Sequence, residues 1–82
     1  MIIKSPYVTE KVTGMIDAND TIEFLVNMRS TKPEIKKALE DLYDIDVLAV
    51  RTMITSRGEK KAIVKLAKEG SANELATRLG LL

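Results

Sequence analysis

The residues best suited to chemistry in this 82-residue chain are its cations. Lys32, Lys36 and Lys37 fall in the first half of one predicted helix. Arg51, Arg57, Lys60, Lys61 and Lys65 fall on one predicted hairpin. Clustered cations of this kind neutralise phosphates and release the counterions around them, so the chemistry they support is binding to a polyanion. Reactive chemistry has far less to work with. The chain has no His and no Cys, which excludes imidazole acid–base catalysis and leaves zinc without its usual ligands. Its four glycines are isolated and form no phosphate-cradling loop. Asp41, Asp44 and Asp46 lack the spacing of a calcium loop and read as a solvated helix end. Glu10 and Glu59 have no paired carboxylate in the sequence around them. The reading is a protein that is not an enzyme and needs no metal or cofactor.

The elements that position these cations begin with residues 29–52. Thr31 stands as an N-cap, Glu34 completes a capping box, and Pro33 sits in the first turn, where its missing N–H is not needed. Ile35, Ala38, Leu39 and Leu42 follow as one apolar stripe. The spacing predicts a helix over 32–43. Its charges run against the helix dipole, with Lys32, Lys36 and Lys37 first and Glu40, Asp41 and Asp44 last. The pairs Lys36–Glu40 and Lys37–Asp41 compensate weakly, because Lys before Glu is the poorer order. Either the cost, roughly tenths of a kcal/mol, was tolerated, or a ligand requires the lysines. Phosphate beside the helix start, met by the lysines and by backbone amides, would supply that requirement.

The other elements follow in chain order. Residues 1–6 start extended, with Pro6 opposing helix. Val8, Val12, Met15 and Ile16 predict a short helix over 9–16, weakened by Gly14. Residues 17–20 read as a turn. Over 21–28 a strand alternates, with Ile22, Phe24, Val26 and Met28 on one face. A third strand over 46–56 is expected to place Leu48, Val50, Thr52 and Ile54 together, with Val47, Ala49, Arg51, Met53 and Thr55 opposite. A short connection over 56–60, with Gly58 free to take positive φ, leads to a fourth strand over 61–67. Period 2 then puts Arg51, Lys61 and Lys65 on one solvent-leaning face, with Arg57 and Lys60 at the tip. Ser71 and Glu74 suggest a second capping box, and Ala72, Leu75, Ala76 and Leu79 a last helix that Gly80 stops. The order β-α-β-α-β-β-α implies α+β, a small four-stranded, mainly antiparallel sheet with packed helices.

Bulk properties agree with one domain spanning 1–82. Apolar residues make up 45% and charged residues 30%, the balance of a globular chain. No apolar run approaches the length of a membrane span, and the N-terminus lacks the shape of a signal peptide. The absence of Cys suits a reducing cytoplasm. A net charge of +1 hides strong segregation. Residues 12–28 are acidic, 29–39 basic, 40–46 acidic and 47–66 basic, so a nearly neutral chain can still carry a polyanion-binding face. The aromatics are only Tyr7, Phe24 and Tyr43, too few to form a base-stacking sheet. Recognition of the shape and backbone of folded RNA fits better. The competing account of the basic hairpin is a solvated edge whose lysines guard against aggregation.

At this point specific motifs accumulate. They are Lys4-Ser5-Pro6-Tyr7-Val8-Thr9-Glu10-Lys11, Thr31-Lys32-Pro33-Glu34-Ile35-Lys36, Val50-Arg51-Thr52, and Gly58-Glu59-Lys60-Lys61-Ala62 followed by Val64-Lys65-Leu66. In this order and at this length the chain resembles the universal family of large-subunit ribosomal protein number twenty-three, in its archaeal form. The resemblance implies a structural constituent of the large subunit of the cytoplasmic ribosome. It would bind large-subunit rRNA at the outer rim of the polypeptide exit tunnel, beside a neighbouring ribosomal protein. It would also be a docking platform for the signal recognition particle or another nascent-chain factor, with no membrane partner. The expected RNA-binding residues are Lys4, Lys11, Arg29, Lys32, Lys36, Lys37, Arg51, Thr52, Arg57, Lys60, Lys61 and Lys65. The factor contact of bacterial relatives maps onto Glu10. Unlike those relatives, the chain has only a short connection over 56–60, so it should not reach into the tunnel, and Tyr7 stands where relatives commonly carry His. The rival function is a stand-alone α+β regulatory module that binds a protein or small ligand through its sheet.

Overall fold

The computed structural model describes residues 1–7 and 19–81. The helix expected over 9–16, together with Glu10 and Lys11, lies outside the described residues. Among the described residues four strands, β1 (Ile3–Pro6), β2 (Thr21–Val26), β3 (Val47–Ile54) and β4 (Lys60–Leu66), and two helices, α1 (Lys32–Tyr43) and α2 (Ser71–Arg78), make an α+β fold. The strands form one antiparallel sheet in the order β1-β2-β4-β3.

Alternation decides which face is covered. Ile22, Phe24 and Val26 of β2 and Ala62, Val64 and Leu66 of β4 all point to the helices and are buried. Ile35 and Leu39 of α1 and Ala72, Leu75 and Ala76 of α2 close the core over them. Met28, expected on this face, lies beyond the strand and is 45% exposed. In α1 the buried line is Ile35, Leu39 and half-buried Tyr43, whose ring stacks on Phe24 with centroids 5.9 Å apart. Leu42, expected in the stripe, is 61% exposed. At the end of the helix a position four residues after Leu39 meets the sheet and one three residues after does not.

A bulge between Val47 and Ala49 corrects the expected faces of β3. Leu48 is the extra residue and turns outward, while Val47 joins the core. One added residue reverses the alternation on one side of it. Beyond the bulge the expected phase holds, with Val50 opposite Val64 and Thr52 opposite Ala62 on the helix side.

The helix ends show the local chemistry. Thr31 and Glu34 form the full capping box expected of them. Asp44 closes α1 with φ 55, its N–H donating to the Glu40 carbonyl. The second box, expected of Ser71 and Glu74, does not form. The N-cap is Gly70, and α2 begins at Ser71 with no local side-chain cap. Asp20, distant in sequence, supplies the acceptor. Its Oδ1 receives the N–H of Gly70 at 2.9 Å and of Ala72 at 3.4 Å. Gly80 does stop α2. Its φ of 75 lets its N–H reach Thr77 while that of Leu81 reaches Ala76, a Schellman closure.

Candidate nucleic-acid interface

Strand direction sorts the charges along the sheet. β2 and β3 end, and β4 and α1 begin, at the same end of the molecule. That end gathers Arg29, Lys32, Arg57 and Lys60, with Lys36 and Lys37 on the adjoining half of α1. Arg29, Lys32, Lys36, Lys37 and Arg57 are all exposed. Asp41, Asp44 and Asp46 are at the far end, where a depression of about 150 Å³ also takes Lys68, Glu74 and Arg78 in its walls.

The hairpin that carries Arg57 is short. Thr55 donates its N–H to the Glu59 carbonyl at 2.8 Å, and Gly58, with φ 78, donates to the Thr55 carbonyl at 2.9 Å. Ser56, Arg57 and Gly58 are therefore the whole connection, a tight turn closed by a left-handed glycine. It projects one guanidinium rather than a long prong.

Lys60, expected beside Arg57 at the tip, is turned to the helix side. Its Nζ donates to the Ser30 carbonyl at 2.7 Å and reaches the Met28 carbonyl at 3.5 Å. This fastens the hairpin to the loop before α1. The charge stays at the basic end while the ammonium's donors face backbone.

The face away from the helices brings Arg51, Lys61 and Lys65 together, as the alternation requires. Arg51 lies opposite Ile63, and Ala49 opposite Lys65. Arg51 and Lys65 are exposed and border a shallow depression with Asn19, Thr21, Ala49 and Ile63. Lys61 differs from them. Its Nζ lies 3.1 Å from Glu23 Oε1 and 5.1 Å from the centroid of the Tyr7 ring. The Lys61 side chain is 17% exposed and that of Glu23 5%. The contact is an ion pair without hydrogen-bond geometry, and among the described residues Glu23 Oε1 accepts no hydrogen bond. Lys61 therefore neutralises a buried carboxylate, a role no local sequence signal showed. Thr52 is half-buried on the helix side of β3, and Lys4 is exposed on β1.

The start of α1 is less open to anions than its lysines suggest. The Thr31 N–H is taken by Glu34 Oε1 at 2.9 Å and the Glu34 N–H by Thr31 Oγ1 at 3.3 Å, while Pro33 has none. Only the Lys32 N–H of this turn lacks a partner among the described residues. Thr31's backbone, then its hydroxyl, holds the Glu34 carboxyl below its ordinary pKa, so it is ionised at this helix start. Attraction for phosphate must come from the side chains of Lys32, Lys36 and Lys37 rather than from amides.

Two residues beyond the sequence reading hold this arrangement in place. Asp20 joins the start of β2 to α2, and Glu40 accepts the Val47 N–H at 3.0 Å, anchoring the first residue of β3 to α1. Both are ordinary acids in the sequence, and only the fold gives them their partners. Among the described residues no cluster of acidic side chains could hold a metal ion, and no helix is long and apolar enough to cross a membrane.

Comparison with known proteins supplies the context. The family model for ribosomal protein L23 matches residues 1–74. The large ribosomal subunit protein uL23 of Methanothermobacter thermautotrophicus is 44% identical over 80 residues, which cover 98% of this chain and 93% of the relative. The expected motifs, the α+β fold and this near full-length similarity agree. The chain belongs to the ribosomal protein L23 family, whose members are ribosomal proteins and not enzymes.

Proposed function

We propose that this protein is a structural, rRNA-binding constituent of the large subunit of the cytoplasmic ribosome, seated at the outer rim of the polypeptide exit tunnel. The observation that carries the reading is the sorting of charge. Exposed Arg29, Lys32, Lys36, Lys37 and Arg57 share one end, and Asp41, Asp44 and Asp46 share the other. Such polarity orients a nearly neutral protein on a polyanion, with the basic end inward. Arg51 and Lys65 on the open sheet face, and Lys4 on β1, extend the phosphate-binding surface. Lys60 and Lys61 add charge while serving the fold, and Thr52 and Lys11 complete the set. The short turn at Ser56, Arg57 and Gly58 keeps the protein outside the tunnel. The protein also serves as the docking platform for a nascent-chain factor such as the signal recognition particle, with Glu10 as the contact residue, next to another ribosomal protein.

Binding of the purified chain to large-subunit rRNA across a salt series tests this reading. The logarithm of affinity should fall linearly with the logarithm of salt concentration. Changing both Lys36 and Lys37 to Gln should make the slope shallower by about one unit for each phosphate no longer neutralised. Binding that ignores salt, or no binding, would count against it. For the docking role, Glu10→Lys should impair factor binding to ribosomes that still contain the protein.

A further inference from the structure

β3 is one of the two edge strands of the sheet, and among the described residues no strand lies beyond it; its pattern of donors is fixed by its pairing with β4. Thr55 donates its N–H inward to Glu59. By strand alternation, Met53 and Arg51 also point their backbone groups inward, and Val50, Thr52 and Ile54 point theirs outward. Among the described residues these outward groups find no partner. Toward the start of the strand the free edge stops, because the bulge at Leu48 interrupts it and Glu40 takes the Val47 N–H. The edge carries one charged side chain, Arg51, and exposes Met53 by 47% and Ile54 by 55%. An edge of this kind is a template for another strand.

We propose that two copies of the free chain pair antiparallel through β3 about a twofold axis at Thr52. The edge is self-complementary in this register. Thr52 faces Thr52, and Val50 faces Ile54 on both sides of the axis, so all three outward-pointing residues exchange main-chain hydrogen bonds. On the open face each Arg51 lies opposite a Met53, whose apolar chain accepts the arginine stem. Antiparallel pairing also sets the two ends of the strand beside each other. Asp46 precedes β3 and Arg57 follows it, so Asp46 of each copy comes beside Arg57 of the other. Registers shifted by one pair do worse. Centring on Arg51 opposes two guanidinium groups, centring on Val50 runs into the bulge, and centring on Met53 sets Val50 against Ser56, beyond the end of the strand, so one pair of hydrogen bonds is lost. The second copy is thus favoured by shape, charge and hydrogen-bond phase together.

The chain has no cysteine, so single cysteines placed in turn at Val50, Arg51 and Thr52 report the register. Opposed residues on the axis have Cα atoms about 5.5 Å apart, within the range a disulfide spans. Under mild oxidation Thr52→Cys should cross-link at least about tenfold faster than Val50→Cys or Arg51→Cys, whose mates are displaced along the strand. The unmodified chain should sediment as a monomer–dimer equilibrium between micromolar and millimolar concentrations. Arg57→Asp should weaken that dimer roughly three- to tenfold, since it removes two equivalent rim pairs, and adding Asp46→Arg should restore it. A monomer throughout that range, faster cross-linking at Val50 or Arg51, or no rescue by the charge exchange would each overturn the proposal.

Discussion

Lys60 Nζ donates to the carbonyl of Ser30 across 2.7 Å and so ties the base of the β3–β4 hairpin to the entrance of α1. The contact fastens together two basic segments that strand pairing and the direction of α1 have already made neighbours. A residue that charge pattern alone assigns to RNA is also part of the frame that aims Arg57 and Lys32 in one direction. Lys60→Ala should therefore lower stability by about 1–2 kcal/mol, the size of a charge-assisted hydrogen bond to backbone. Urea denaturation checks this, and Lys60→Gln, which can still donate, should recover part of the loss.

Lys61 gives a larger effect. Removing it leaves the buried Glu23 with no ion-pair partner among the described residues. Lys61→Ala should cost about 3 kcal/mol, and the double change Lys61→Met with Glu23→Leu should return most of it, because a buried pair is expensive to break and cheap to replace. A double-mutant cycle by thermal or urea unfolding measures the coupling. If Lys61→Ala is harmless to stability and acts only on RNA affinity, Lys61 is a phosphate contact and not a counterion for Glu23.

Asp20 caps α2 from the far side of the sequence and holds φ 49 while doing so. Asp20→Asn keeps an acceptor and tolerates that conformation, so it should cost little. Asp20→Ala removes the cap and strains the backbone, and should cost about 1–2 kcal/mol. Amide hydrogen exchange at Gly70 and Ala72 should rise in the alanine variant before exchange in β4 does.

Glu34 links the fold to acid. Its carboxyl is held below its ordinary pKa by the Thr31 backbone first and the Thr31 hydroxyl second. A carboxyl depressed on folding contributes stability above its unfolded pKa and loses that contribution as pH falls through the folded value. Stability measured by urea denaturation should therefore decline on the acid side with a component that Glu34→Gln removes, since Gln keeps the capping geometry without titrating.

The sequence made α1 legible because its signals are local. Thr31, Pro33 and Glu34 lie within one turn of each other, and Ile35 and Leu39 repeat at helical spacing. The alternation of β2 and β4 was legible for the same reason. What escaped depends on pairings between distant segments. Nothing near Asp20 announces Gly70, and nothing near Lys61 announces Glu23. The Leu48 bulge adds one residue to a run that reads as continuous β-branched strand. Ser71 and Glu74 have capping-box spacing, but the Asp20 carboxylate, just before β2, had already satisfied that helix start. The charge polarity of the interface was visible as blocks along the chain. That the blocks gather at one end follows only from antiparallel pairing and from the direction of α1.

Sucrose-gradient fractionation of cell lysate, with the protein followed by antibody, tests the central claim most directly. A ribosomal role predicts co-migration with the large subunit at low salt and release from it as salt is raised. Protein that stays at the top of the gradient at every salt concentration would contradict it.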